Sequence, residues 1–187
     1  MNETLLYAFR AITDIAAMLL LIRFLLQWVG ADFYNPVSQG ILKICSPIIR
    51  PLEKIIPSFG RFNLSVLVAA LLIKWSFFVV MAIAKGVLSA GIFAFIAWAG
   101  FELLRTLVEI YFWGIFILVV FSWVGTPPHP AAGLVHQVIS PYMEPFRRLI
   151  PTLGMIDLSP MAAIFSLMFI RAKILPLIGM QITPFLM

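Results

Sequence analysis

Charged residues are scarce in this chain, and their scarcity sets its class. Only 11% of the 187 residues are Asp, Glu, Lys or Arg, less than half of the roughly 25% that soluble domains carry. Hydrophobic residues make up 63%, and the mean hydropathy is +1.07. A chain this short cannot bury so much apolar surface in a water-soluble core, so lipid must solvate much of it. The composition predicts an all-α membrane protein with several spans.

The chain also has few cysteines and histidines and lacks the familiar catalytic motifs. The single cysteine, Cys45, excludes an internal disulfide bond. The histidines, His129 and His136, have no cysteine or paired acid beside them, which makes a metal site improbable. The chain contains no HExxH, Walker A, GxSxG or GxGxxG motif. We therefore expect no catalytic activity, no metal and no cofactor.

The net charge of +5 is small and scattered along the chain. It is too low to indicate nucleic-acid binding, but it suits contact with anionic lipids. The first ten residues place an acid before the first base and lack a signal-peptide cleavage site. We expect the first apolar segment to be retained as a membrane helix. The expected partners are the bilayer, a membrane protein whose identity stays open, and a second copy of the chain.

The chain contains an internal repeat, because one sequence pattern occurs twice. A Trp-Val-Gly turn at 28–30 is followed by Asn-Pro and then by S-P-x3-P-x5-P-x2-G-x2-N-L-S, and the series returns from 123 to 159 with His-Pro and Asp-Leu-Ser. The offset is 95 residues up to the glycine of the turn and 94 after it. A tandem duplication is the simplest explanation, so each half should be one structural unit.

Each unit is predicted to be a span, a proline-rich amphipathic segment at the membrane surface, and a second span. The predicted bounds are spans 5–29 and 64–84 around segment 30–63 in the first repeat, 1–85, and spans 101–125 and 158–180 around segment 126–157 in the second, 101–187. Prolines within the segments forbid one long regular helix. We expect short helices over 37–55 and 131–148 that lie against the membrane, with one apolar face made of Ile41, Ile44, Ile48, Leu52 and Ile55. Cys45 lies off that face and should be accessible.

Residues 86–100 have no counterpart in the first half. They form either a fifth span or a helix that leads into the third of four core spans. Four spans make the repeats parallel, with both proline-rich segments on one side, whereas a fifth inverts them. The Lys and Arg distribution favours parallel repeats with cytoplasmic segments. If the helix is continuous there, small residues spaced by four would pack closely against another helix: Ala82, Gly86, Ala90 and Ala94.

Two charge pairs recur in the duplication. Arg10 and Asp14 match Arg105 and Glu109, each pair at i and i+4 on its own helix. The favoured interpretation is an ion pair that anchors each helix at the membrane edge. The alternative is a charged contact between the repeats or the lining of a pathway.

Lys74 is the most informative single charged residue, because it lies about ten residues into its span, near the middle of the membrane. Its repeat counterpart is Met168. An acid inside the bundle, such as Asp14, Glu102 or Glu109, is favoured over a role in ion transport. The arginines nearer the span ends, Arg23 and Arg171, are expected to snorkel.

Each proline-rich segment opens on a short turn, Asn35-Pro36 in the first half and His129-Pro130 in the second. These turns are loosely similar to the Asn-Pro-Ala turns of aquaporins. The favoured interpretation is a prolyl turn that stops one helix and starts the next.

Taken together, the repeated turn and proline pattern closely resemble the YggT family, also called YlmG. The resemblance covers essentially the whole chain and matches the two-repeat form found in proteobacteria. It implies a bacterial inner-membrane location and no established catalytic activity. Members of the family are linked to osmotic or salt tolerance, cell division and, in plastids, nucleoid distribution and cytochrome assembly.

Two main hypotheses for function follow. The leading one is a non-enzymatic inner-membrane protein that supports envelope homeostasis, such as osmotic tolerance, through membrane partners or lipids. The runner-up is a small ion or solute channel or transporter that uses Lys74 and the charge pairs, for which inverted repeats would argue. A cell-division or complex-assembly factor is the third alternative.

Overall fold

Helices make up almost all of the protein that the computed structural model describes, namely residues 3–86, 91–125, 129–150 and 157–182. The helices, with one π-helical turn, are α1 Glu3–Val29, α2 Pro36–Glu53, α3 Leu64–Lys85, α4 Ile92–Val124, α5 Pro130–Leu149, α6 Ser159–Phe169, the π turn Ile170–Ile174 and α7 Leu175–Ile182.

Within those residues, four stretches are long and apolar enough to cross a membrane. They are α1, α3, α4 and the continuous run from α6 to α7. Residues 92–100 form the first turns of α4 and not a separate span, and α4 is 33 residues long, about 50 Å. The four predicted core spans are therefore confirmed.

The two proline-rich helices lie side by side on one face of the bundle, because two spans separate them along the chain. The Asn35 side-chain amide donates a hydrogen bond to the Pro130 carbonyl at 2.8 Å. Nearby, the Asp32 backbone N–H donates to the Gln137 side-chain oxygen at 3.2 Å. The two repeats are thus parallel and in contact.

The short helices predicted over 37–55 and 131–148 are α2 and α5, within two residues at each end. The expected effect of the prolines is wrong, since each of these helices runs through its prolines without a break. Pro47 and Pro51 lie inside α2, and α5 contains two prolines at the same spacing. A proline frees the carbonyl four residues earlier, which for Pro47 and Pro51 are those of Lys43 and Pro47. All three residues are on the exposed side of α2, so the freed carbonyls are accessible to water and the helix continues.

The predicted apolar face of α2 also needs correction. Ile44 and Ile48 are 60% and 40% exposed, whereas Cys45 is only 1% exposed and Ile49 is fully buried. One side of α2 packs on the protein, and the adjacent side, with Ile44 and Ile48 beside Ile12 of α1, forms an outer apolar surface. Burial raises the pKa of the Cys45 thiol, and the positive charge of Arg23 offsets part of that rise. Cys45 is consequently not the accessible thiol that the sequence predicts.

The predicted stripe of small residues does not form one helix face. Ala82 is fully buried, but Gly86 is exposed and adopts a φ of 70° that ends α3. A left-handed glycine is a common way to stop a helix. Ala94 lies in the next helix, and Ala90 lies outside the described residues.

The main hydrophobic core joins the two repeats. Its fully buried side chains come from all six helices from α1 to α6, and include Leu20, Leu25, Ile49, Val66, Ile115, Ile139, Met143 and Ala163. Gly114 of α4 faces Ile139 of α5 so closely that any Cβ would overlap the isoleucine. The surface helix α5 therefore packs directly against the span α4.

Candidate functional site

Charged side chains from all four spans come together in the bundle. We call this set the charged cluster; its members are Arg10, Asp14, Lys74, Glu102, Arg105, Glu109 and Arg171. Most of them were predicted from the sequence as separate pairs. Their convergence places acids and bases next to one another, as charges within a membrane protein require.

Lys74 lies at the centre of the charged cluster. Its side chain is 4% exposed, and its ammonium nitrogen is 2.5 Å from Asp14 Oδ1 and 3.9 Å from Glu102 Oε2. A charged group buried in a helix bundle needs opposite charges beside it to offset the cost of removing it from water. The structure thus gives Lys74 two of the three acidic partners expected from the sequence.

Each repeat contains one acid–base pair between its two spans. In the first, Asp14 of α1 contacts Lys74 of α3; in the second, Glu109 of α4 contacts Arg171 in the π turn at 3.0 Å. Asp14 and Glu109 are repeat counterparts, but Arg171 lies three residues beyond Met168, the counterpart of Lys74. The duplication therefore keeps the pair while its base has moved by about one helical turn.

The predicted pair of Arg105 with Glu109 is replaced by other contacts. Arg105 lies 3.7 Å from Glu102, at i−3 on the same helix, and Glu109 turns toward Arg171. Both i−3 and i+4 positions are neighbours on a helix, so spacing alone did not decide between them. The first repeat keeps the expected contact, with Arg10 and Asp14 3.7 Å apart.

Arg171 does not snorkel to the membrane edge as predicted. Besides its contact with Glu109, its guanidinium lies 4.5 Å from the ring centre of Phe112, a cation–π distance. It sits in the π turn just before Pro176. A proline ring crowds the carbonyl four residues back, and a widened turn relieves that crowding. The proline thus helps to set the position of Arg171.

Arg23 is the functional-looking residue that sequence reasoning placed wrongly. It is buried, its Nη2 is 3.4 Å from Glu53 Oε1, and the Asn63 side-chain amide donates to the same oxygen at 3.1 Å. The three residues come from α1, α2 and the start of α3. Glu53, the last residue of α2, is the feature of the sequence that could have predicted this contact. An arginine six residues before the end of a span is close enough to pair with an acid on a surface helix that folds back against the span.

The depth of the charged cluster follows from helix rise. Arg10 lies 18 residues before Trp28, and Arg105 lies 18 residues before Trp123, which is about 27 Å along each helix. Exposed tryptophans at span ends mark a membrane interface, and both tryptophans lie on the α2/α5 side. Arg10 and Arg105 therefore approach the opposite interface, with Asp14 and Glu109 one turn deeper.

Two cavities open onto the charged cluster. One of about 300 Å³ lies between α1 and α4 and touches Arg10, Asp14, Lys74, Glu102, Arg105 and Glu109. Another of about 660 Å³ lies between α4 and the last span. They share three charged side chains of α4, namely Glu102, Arg105 and Glu109.

The two short turns act as helix caps. Asn35 Oδ1 accepts the Val37 N–H at 2.9 Å, and His129 Nδ1 accepts the Ala131 N–H at 3.1 Å. Pro36 and Pro130 occupy the first helical positions, where the missing N–H costs nothing. This geometry matches the favoured interpretation from sequence, and the link from Asn35 to Pro130 is an addition to it.

Comparison with known proteins shows the same duplicated unit. The sequence model of the CCB3/YggT family matches residues 2–84 and again residues 97–178. The chain belongs to the CCB3/YggT family. Its double match, together with four spans, supports the tandem duplication inferred from the sequence.

Several relatives span nearly the whole chain. An uncharacterised protein of Pseudomonas aeruginosa is 36% identical over 172 residues, covering 91% of this chain and 87% of that protein. The uncharacterised protein YggT of Escherichia coli is 34% identical over 187 residues, covering 97% and 96% respectively. No solved structure matches the chain. Family and spans together describe a membrane protein, and the relatives' names assign no activity.

Proposed function

We propose that this protein is a non-enzymatic inner-membrane protein that supports the envelope under osmotic or salt stress. It acts by presenting α2 and α5 to anionic lipid head groups and to membrane proteins. A role in cell division or in the assembly of membrane complexes would use the same surface.

One observation carries the proposal: α2 and α5 lie in contact on a single face and display a shared set of bases. The exposed ones on this α2/α5 face are Lys43, Arg50, Lys54, Arg61, Arg147 and Arg148. Each base near an anionic membrane surface contributes about 1 kcal/mol of attraction. The same bias favours a cytoplasmic position for this face.

The charged cluster also supports a non-conducting protein. Lys74, its most buried base, contacts two carboxylates, and the bases of both repeats have acidic partners. Removing one member of such a pair leaves the other charge without compensation inside the bundle, so these charges have a structural role. Parallel repeats, moreover, are not the inverted arrangement common in secondary transporters.

The test of this proposal is growth under salt stress. An Escherichia coli strain lacking its own YggT would be complemented with wild type, with Arg147→Gln/Arg148→Gln, or with Lys85→Gln as control. Lys85 is an exposed base at the other end of α3. We expect wild type and the control to restore growth and the double variant to restore it poorly, at equal membrane levels. Full rescue by the double variant would contradict the proposed role of the α2/α5 face.

A second candidate is a pathway for ions or small solutes. The observation in its favour is that two cavities of about 300 and 660 Å³ meet at the same charged residues of α4. Flux into proteoliposomes containing wild type or Lys74→Met separates the candidates. Wild-type flux well above that of empty liposomes, altered by Lys74→Met, would favour the channel. We expect neither protein to conduct and both to support growth.

A further inference from the structure

A groove between the two repeats changes from polar to apolar along its length. The polar cavity at the charged cluster and an apolar cavity of about 420 Å³ share Met18, Thr106 and Glu109 on their walls. Both lie between α1 and α4. They adjoin along these three side chains and form one inter-repeat groove.

The apolar half of the groove runs toward the α2/α5 face. Its walls include Ile22 of α1, Ile110 and Ile117 of α4, and Val135 of α5. A dry cavity of roughly 150 Å³ already holds a benzene ring, and water needs polar partners that such walls do not offer. A cavity almost three times as large, within a bilayer, is suited to a hydrocarbon chain.

The polar half lies at the depth of lipid head groups. Arg10 and Arg105 are about 27 Å from the tryptophans of the other interface, close to the roughly 30 Å of a hydrocarbon core. Their side chains are 51% and 55% exposed, and among the described residues each makes one long contact of 3.7 Å with an acid. Arg10 also lies 6.0 Å from the ring centre of Phe77, which uses the face of the guanidinium and not its N–H groups. Both guanidinium groups therefore have donors free for a phosphate.

The exposed charges around this end carry both signs. Three bases and three acids line it, namely Arg10, Lys74 and Arg105 with Asp14, Glu102 and Glu109. Lys74 is already paired with Asp14 and Glu102, and Glu109 with Arg171. The side chains that stay about half exposed are Arg10, Arg105 and Asp14. A head group that carries a phosphate and an ammonium complements these three, with the phosphate at the arginines and the ammonium at Asp14.

We propose that the inter-repeat groove binds one phospholipid with a zwitterionic aminophosphate head group, such as phosphatidylethanolamine. Its acyl chain occupies the apolar half, and its head group contacts Arg10 and Arg105. The lipid enters from the leaflet opposite the α2/α5 face, so this site is separate from the surface in the proposed function.

Native mass spectrometry of the whole protein tests the proposal. The protein is reconstituted with equal amounts of phosphatidylethanolamine and phosphatidylglycerol, then extracted gently. We expect wild type to retain one phosphatidylethanolamine in preference to phosphatidylglycerol. Arg10→Gln/Arg105→Gln should retain it at least about tenfold less, as loss of charge-assisted hydrogen bonds predicts. Arg147→Gln/Arg148→Gln, a charge-matched control on the α2/α5 face, should retain phosphatidylethanolamine as wild type does, and any phosphatidylglycerol that it loses reports on that face and not on the groove.

A second variant keeps all charges in place. Met18→Trp puts a bulky ring where the two cavities adjoin, so it should also release the lipid. Three results would overturn the proposal: wild type that retains no phosphatidylethanolamine, unchanged retention of it by folded Arg10→Gln/Arg105→Gln, or loss of it in the control. Retention at the wild-type level by Met18→Trp would overturn it as well, even if the double arginine variant fails to fold.

Discussion

The close contact between the surface helix α5 and α4 can be tested most directly at Gly114. A Cβ at this position would lie 2.4 Å from Cδ1 and 2.8 Å from Cγ1 of Ile139. Ile139 is 1% exposed to solvent, and the space it could move into is the apolar cavity of about 420 Å³ that it lines together with Gly114. Moving there would cost Ile139 its present contacts in the core. Overpacking of this kind costs about 1–3 kcal/mol, whereas alanine in place of glycine within a helix gains about 1 kcal/mol.

The two effects can be separated by a double-mutant cycle. We expect Gly114→Ala to lower the thermal midpoint of the purified protein in detergent. In an Ile139→Ala background the overlap is gone, so the same change should raise the midpoint, by roughly 2–4 °C for each kcal/mol gained. The expected coupling between the two positions is therefore about 1–3 kcal/mol. Gly133→Ala, on α5 with open space around it, is the control and should be neutral or stabilising. An equal effect of Gly114→Ala in both backgrounds would refute the close contact of α5 with α4.

Three further expectations follow from side chains described above. Cys45 should resist a membrane-impermeant maleimide at neutral pH from both sides and react after unfolding in detergent, because burial shields the thiol and raises its pKa; fast labelling of the folded protein would contradict its burial. Asn35→Ala should destabilise the protein by about 1–3 kcal/mol in thermal melts, since it removes both a helix cap and the bond to Pro130, while Asn35→Asp, which keeps only the cap, should fall in between. Arg171→Leu should cost about 1–3 kcal/mol because Glu109 loses its partner, and the added change Glu109→Gln should recover most of that loss; no recovery would mean that the ion pair is not what stabilises this contact.

The spans and the turns could be predicted because their signals are local. A run of apolar residues long enough to cross a bilayer needs no knowledge of its neighbours, and α1 and α3 begin and end within two residues of the predicted bounds. Asn35 and His129 precede proline at the start of a helix, which is where caps are needed. The sequence left four or five spans open, and the choice of four came from the structure, where 92–100 belong to α4.

The contacts of charged residues could not be predicted, because they depend on how helices turn toward each other. Arg105 had acids at i−3 and i+4, and only the position of Arg171 decides which one it contacts. Arg23 looked like an interfacial residue until α2 folded back to bring Glu53 against it. Alignment of the repeats gave Met168 as the counterpart of Lys74. The base that pairs with the acid in the second repeat is Arg171, one helical turn further along.

The prolines of α2 were misjudged for a different reason. A proline inside a helix removes one backbone hydrogen bond, and we treated that loss as decisive. Pro47 and Pro51 are four residues apart, so the freed carbonyls share one exposed side of the helix. Spacing therefore matters more than the number of prolines.

The hydrogen bond from Asn35 to the Pro130 carbonyl bears on how the two halves of a duplicated protein diverge. Two separate copies of the ancestral unit, meeting about a twofold axis, would close that bond twice and in both directions. Joining the copies in one chain makes their meeting intramolecular, which removes an association cost of several kcal/mol. A fused chain does not require the reciprocal bond, and the second repeat carries at this position His129, whose side chain caps α5. Fusion of the repeats released one half from the self-complementarity that a dimer enforces, and left it free to diverge.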